Sequence, residues 1–246
     1  MTREIYVFND VQELADRLAQ DFRKAVENKS KAGEMIFIAL SGGKTPRIFF
    51  DVLAKPPYLG EIPWEKVNLF WGDERCVPPD DPESNYKMAN DSFISKVNIP
   101  DDNVHRIIGE NPPELEVNRY AKEIQTNLPD EKNVFPVFDW IFLGMGDDGH
   151  TASLFPNSLT LHEKTDICVI AEHPSTGQKR ISLSLPVINN ARRVSFLVTG
   201  KDKAPVLKEI LEKGATLLPY PASKISPTDG LLEWYIDKAA APEEYR

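Results

Sequence analysis

Apolar positions along the chain follow two alternating rhythms. After Asp10, which fits a helix N-cap, Val11, Leu14, Ala15, Leu18, Ala19, Phe22 and Val26 recur at the spacing of one helical face, and Gly33 closes the stretch. The continuous apolar run Met35 to Leu40 then reads as a strand buried on both faces. Ser41-Gly42-Gly43-Lys44-Thr45-Pro46 follows it. Thr45 fits an N-cap and Pro46 the first position of a helix through Leu53. The pattern predicts further strands at Val67 to Trp71, Phe138 to Leu143, Ile167 to Ala171, Ile181 to Leu185, Val194 to Val198 and Leu231 to Ile236. Helices are predicted from Ser84 to about Val97, from Asn111-Pro112 onward and from Ala204 to Leu211. In the second of these, Leu115, Tyr120, Ile124 and Leu128 are the expected packing positions.

Strands alternating with helices specify an α/β fold. The expected architecture is a mostly parallel sheet covered on both faces. No repeat or low-complexity linker divides the chain, and the 20 prolines are scattered through loops, so residues 1–246 read as a single domain. Open sheets of this kind bind ligands at the carboxyl ends of their strands. Three polar loops leave apolar strands here, at 41–46, 72–78 and 144–150.

Composition narrows the ligands. The chain has 29 Lys+Arg against 38 Asp+Glu, a formal net charge of −9. That excludes the basic excess by which proteins neutralise nucleic-acid phosphates, and no Lys/Arg block offers a membrane-facing patch. No apolar run approaches the roughly 18 residues of a membrane span, and Met1-Thr2-Arg3-Glu4 opens no apolar signal region. The two cysteines, Cys76 and Cys168, lie far apart and form no metal or redox pair, as expected of free thiols in a reducing, cytoplasmic setting.

The loops carry the candidate chemistry. In Ser41-Gly42-Gly43-Lys44-Thr45 the glycines let backbone N–H groups approach an anion closely. The following helix N-terminus adds unpaired donors and the positive end of its dipole. The spacing is not that of a Walker P-loop, and an ordinary tight turn is the competing reading. Gly144-x-Gly146-x-x-Gly149 matches the dinucleotide fingerprint, with Asp166 near the distance of a ribose ligand. Against that reading, Asp147 and Asp148 stand where a pyrophosphate must sit, Pro156 limits any helix starting in the loop, and the motif lies mid-chain. His150 is the better focus. Of the four histidines, it alone sits in a Gly-rich loop directly after a buried strand, and Asp148 is placed to orient an imidazole that can act as a base near neutral pH. Gly72-Asp73-Glu74-Arg75 puts three charges at a strand end, either as solvated surface or with Arg75 holding an anion or oxyanion. Arg180 and Lys203 border later elements, and spacing alone leaves them solvated cations. No H-e-x-x-h pattern, clustered Cys/His set or EF-hand loop marks a metal site, and no G-x-S-x-G elbow makes Ser41 a nucleophile.

Together these loops resemble the 6-phosphogluconolactonase family, within the superfamily of glucosamine-6-phosphate deaminases and ribose-5-phosphate isomerases. The resemblance rests on the Ser41–Pro46 turn, Gly72-Asp73-Glu74-Arg75-Cys76-Val77-Pro78 and the run Gly144 to Pro156. It extends to Ser84-Asn85-Tyr86, Arg180-Ile181-Ser182, Gly200-x-x-Lys203-Ala204 and Trp234-x-x-Asp237-x-Ala239-Ala240, in order over nearly the whole chain. Deaminases carry an acidic residue where this chain has Phe155 and usually Asp-Glu-Tyr where it has Asp73-Glu74-Arg75; both departures favour a lactonase. The resemblance implies a three-layer α/β fold with a mainly parallel, Rossmann-like sheet, and a sugar-phosphate lactone as substrate, with no metal or organic cofactor. Its phosphate would lie on Ser41, Gly42, Gly43, Lys44 and Thr45, supported by Arg180 and Lys203. His150 would be the base, aided by Asp148, with Arg75 at the oxyanion and Asp73 as a further catalytic candidate. The expected assembly is a monomer or weak homo-oligomer.

Overall fold

The computed structural model describes residues 2–129, 135–213 and 219–246. Along the chain run β1 (Thr2–Phe8), α1 (Val11–Lys31), β2 (Ile36–Leu40), α2 (Lys44–Leu53), α3 (Tyr58–Glu61), β3 (Val67–Trp71), β4 (Asp73–Arg75), α4 (Asn85–Ser92) and α5 (Pro113–Asn127). β5 (Trp140–Leu143), β6 (Cys168–Glu172), β7 (Lys179–Leu183), α6 (Leu185–Ile188), β8 (Arg193–Val198), α7 (Ala204–Lys213) and β9 (Leu231–Asp237) follow. Six strands form one sheet in the order β1-β9-β8-β5-β2-β3, and each neighbouring pair is parallel. This is the α/β architecture expected from the alternation. β2 and β5, inside the sheet, and β3, at its end, are buried at every position, so both faces of the sheet are covered there.

Local chemistry accounts for the elements. Asp10 Oδ1 accepts from Gln12 N and Glu13 N, both at 2.9 Å, which caps α1. The apolar face of α1 then lies on the sheet. Phe22 meets Phe49 of α2 at 5.9 Å and Trp140 and Phe142 of β5 at 6.4 and 6.5 Å between ring centroids. Burying such a ring contributes about 1.5–3 kcal/mol.

Several expectations need correction. The strands expected at 167–171 and 181–185 are β6 and β7, and they do not join the main sheet. With β4, which the sequence presents as a loop, they form a separate three-stranded antiparallel sheet, β4-β7-β6. β7 stops at Leu183 because Ser184 takes the cap position of α6, which carries Pro186 in its first turn. α4 ends at Ser92 instead of near Val97, after Asn90 and Asp91, both poor helix formers. In α5, Leu115 is 66% exposed while Glu116 is buried. Positions 116, 120, 124 and 128 share the i, i+4 row that faces inward, and Leu115 falls outside it. β1, absent from the expectations, pairs with β9 along its whole length and ties the two ends of the described chain together. No helix among the described residues is long and apolar enough to cross a membrane.

Candidate active site

The carboxyl ends of β2, β3, β5 and β8 release loops at one edge of the main sheet, and these loops enclose a cleft of about 550 Å³. All the sequence-predicted site residues line it except Asp148, which stands behind His150.

The first wall is the turn after β2. Gly43 has φ +112°, a conformation that disfavours side chains, and it turns the chain so sharply that α2 begins at Lys44. Gly43 is therefore the cap, without a side-chain hydrogen bond, and Thr45 is not. Thr45 Oγ1 instead bonds Thr199 Oγ1 at 2.7 Å, linking the turn to the end of β8. The first-turn N–H groups thus carry no side-chain cap, and a helix start of that kind is suited to an anion. Thr199, which also lines the cleft, is a residue that the sequence gave no reason to select, whereas Gly200 belongs to the Gly200-x-x-Lys203 motif. Asp237 accepts from Gly200 N (3.1 Å) and Ala240 N (2.8 Å), which anchors the loop that carries Lys203. Lys203 Nζ pairs with Asp202 Oδ2 at 3.0 Å, and its hydrogen bond holds the Asp202 carboxyl below the usual range.

The second wall comes from the small sheet. Asp73, Arg75 and Arg180 share one face of β4 and β7, with Arg75 directly opposite Arg180. Opposed like charges repel, and the Nε atoms of both arginines are buried without a protein partner. Burial first, and then the Arg75 charge, pull the Arg180 guanidinium below its ordinary pKa. Such a pair is electrostatically suited to an anion. Arg75 Nη1 donates to Glu83 O at 2.5 Å, and Arg180 sits 5.7 Å above the Phe155 ring. Asp73 is buried, and its Oδ2 accepts from Ser153 Oγ at 2.6 Å. Beneath this wall Glu74 is 2% exposed and accepts from Arg75 N, Asn85 N, Tyr86 N and Ser84 Oγ at 2.7–3.0 Å, locking β4 to the start of α4. Burial pushes its carboxyl up, and these donors only partly offset that push.

The third wall is the loop after β5. No helix opens inside Gly144–Gly149, so the dinucleotide geometry is absent. The loop folds back on itself instead, with Gly146 N donating to His150 O (2.9 Å) and Thr151 Oγ1 to Gly144 O (2.8 Å). His150 Nδ1 lies 2.6 Å from Asp148 Oδ1, and the same oxygen accepts His150 N at 3.0 Å. Burial pushes the Asp148 carboxyl up. The His150 backbone N–H, the imidazole charge and its hydrogen bond pull harder, and the net result is below the usual carboxylate range. An ionised Asp148 makes Nδ1 the protonated nitrogen of a neutral imidazole and leaves the Nε2 lone pair free. Phe155 packs on the imidazole at 4.9 Å between centroids, and its far side meets His173 at 5.2 Å. His173 is a neighbour that the sequence gave no reason to select. Nearby, burial pushes the Cys76 thiol up to about 11. Among the described residues no group of three His, Cys, Asp or Glu side chains is placed to hold a metal ion.

The cleft therefore joins an imidazole oriented by a carboxylate, paired guanidinium groups and a helix N-terminus. That combination suits attack by water on a carbonyl in an anionic substrate. The chain is similar to known proteins over nearly its whole length. A 6-phosphogluconolactonase of Haemophilus influenzae is 46% identical over 233 residues, covering 95% of this chain and 96% of that protein. The crystal structure of a devB protein superposes with a TM-score of 0.92 at 44% identity, covering 98% of each chain. A 6-phosphogluconolactonase structure from Trypanosoma brucei superposes with a TM-score of 0.86 at 29% identity, again covering 98% of each chain. The family of glucosamine-6-phosphate isomerases and 6-phosphogluconolactonases matches residues 9–234, and this chain belongs to it.

Proposed function

We propose that the chain hydrolyses 6-phospho-D-glucono-1,5-lactone to 6-phosphogluconate, the lactonase step of the oxidative pentose phosphate pathway. The observation that carries this reading is the His150–Asp148 pair facing Arg75 in the same cleft as the uncapped start of α2. The lactonase relatives, similar over nearly the whole chain, support it.

In this scheme the phosphate rests on the Ser41–Thr45 turn, with Lys203 and Arg180 as supporting cations. His150 Nε2 takes a proton from water as the water oxygen bonds to the lactone carbonyl carbon. Asp148 accepts from Nδ1 and stabilises the imidazolium. Arg75 faces the carbonyl oxygen as it becomes an oxyanion. The bond from that carbon to the ring oxygen then breaks, and Nε2–H returns its proton to the leaving oxygen, which becomes a hydroxyl. The new acid ionises in water. Asp73, held by Ser153, remains a candidate at the reacting end. General-base catalysis supplies about 10²–10⁴-fold and an oxyanion donor roughly 10²–10³-fold, enough for an already activated ester. Phe155 has no proton to exchange, which favours lactone hydrolysis over a deaminase or isomerase.

The scheme uses no metal or organic cofactor. It treats residues 1–246 as one working domain, a monomer or weak homo-oligomer of the cytoplasm; the β1–β9 pairing supports the single domain and the free Cys76 and Cys168 the compartment. The test is to generate the lactone freshly from glucose 6-phosphate and follow acid release. The protein should raise the rate well above spontaneous hydrolysis. Release at the spontaneous rate rejects the lactonase reading, and release of ammonia from glucosamine 6-phosphate would replace it with a deaminase.

A further inference from the structure

The scheme leaves open what recognises the hydroxyl groups between the phosphate and the lactone carbon. Asn85, at the start of α4, lines the cleft although only 3% of it is exposed. Its position is fixed from two sides. Its backbone N–H donates to Glu74 Oε1 at 2.8 Å, and its side-chain Nδ2 donates to Asp73 O at 3.0 Å. The second bond settles the orientation of the amide, because reversing it would set Oδ1 against a carbonyl oxygen. Oδ1 is thereby turned toward the phosphate-binding turn. A Cβ built on Gly42 would fall 1.9 Å from it, so position 42 is glycine for reasons of space. No donor among the described residues reaches Oδ1. In a side chain otherwise buried, that oxygen takes its donor from whatever fills the cleft.

We infer that Asn85 Oδ1 is the acceptor for a substrate hydroxyl, placed between the Gly42 end of the phosphate turn and the Asp73–Arg75 wall, and that it makes the site selective for a hydroxylated chain. This inference rests on the sugar-phosphate reading above. The rigid mounting matters to it: an acceptor held by two hydrogen bonds loses little freedom on binding, and a site built around a hydroxyl discriminates against analogues that lack it.

The test is competitive inhibition by 6-phosphogluconate and by its 2-, 3- and 4-deoxy analogues, measured on the wild-type protein, Asn85→Ala and Asn85→Ser. In the wild type, one deoxy analogue should bind roughly 2- to 12-fold more weakly than the parent, as for a single neutral hydrogen bond. Asn85→Ala should weaken the parent by a similar factor and leave that one analogue unchanged. Equal weakening of all four ligands in both variants would make Asn85 a structural residue and overturn the inference. So would a wild type indifferent to every deletion, a result that stands even if neither variant folds. A wild type that binds none of the four ligands fails in a different way, because it removes the sugar-phosphate reading itself.

Discussion

At the scale of single residues, the proposed scheme gives proton transfer and substrate binding to different side chains. Among the described residues His150 is the one histidine with both a carboxylate on one ring nitrogen and a place in the cleft lining. His105, by contrast, is buried with Nδ1 on Glu123 at 2.7 Å, and His173 has Nδ1 occupied by the N–H groups of Ser175 and Thr176 at 3.3 Å. His150→Ala should therefore lower kcat by about 10²–10⁴-fold, the usual weight of a general base, while KM changes little. Steady-state rates over a substrate series check this; near-normal turnover would remove His150 from the reaction. The sequence made this residue legible because a Gly-rich loop after a buried strand is a local pattern. It could not show that Phe155 braces the imidazole, since that contact depends on how the loop closes.

At the scale of elements, the second wall depends on a carboxylate with no chemistry of its own. Glu74 gathers four donors from β4 and from the start of α4, and so sets the positions of Arg75 and Asn85 together. Glu74→Gln keeps the shape but leaves one acceptor oxygen, and in either amide orientation an NH₂ group faces donors. With each orphaned buried donor costing roughly 1–3 kcal/mol, the variant should lose about 2–4 kcal/mol of stability. Urea unfolding measures that loss, and an unchanged midpoint would mean the carboxylate is not what holds β4 to α4. This wall was poorly legible in the sequence for a physical reason. β4 is three residues long and pairs with β7, more than a hundred positions later, so no periodicity announces it. Ser84 as a helix cap was legible, because its Oγ accepts from Lys87 N within its own turn, at 3.0 Å. The same limit explains Thr45: a cap preference is local, whereas the turn at Gly43 that moves the helix start is set by backbone conformation.

For the whole molecule, the main sheet was readable because a parallel α/β fold buries whole strands and so writes itself as apolar runs. β1, at the sheet edge with Thr2 and Arg3 exposed, has only the short run Ile5 to Phe8, of which Phe8 alone is fully buried, and it escaped. Charge shows the opposite limit of sequence reading. A net charge of −9 describes the entire surface, yet the cleft collects Lys44, Arg75, Arg180 and Lys203 around one helix N-terminus. The Debye length is about 8 Å at physiological ionic strength, so most of the acidic surface is screened from the cleft and the nearby cations decide the local potential. Asp202 moderates that potential, since it pairs with Lys203, but the Ser41–Thr45 turn carries no acidic side chain to compete with a phosphate. If the phosphate lies there, Lys203→Ala and Arg180→Ala each remove a charged hydrogen-bond donor from substrate and transition state alike. Uniform binding lost in this way appears in KM and not in kcat. Each variant should raise KM roughly 10- to 150-fold, the range for one charged hydrogen bond, with kcat nearly preserved. If KM stays flat in both, the phosphate is held elsewhere. A fall in kcat alone for Arg180→Ala would place that guanidinium beside Arg75 at the reacting carbonyl.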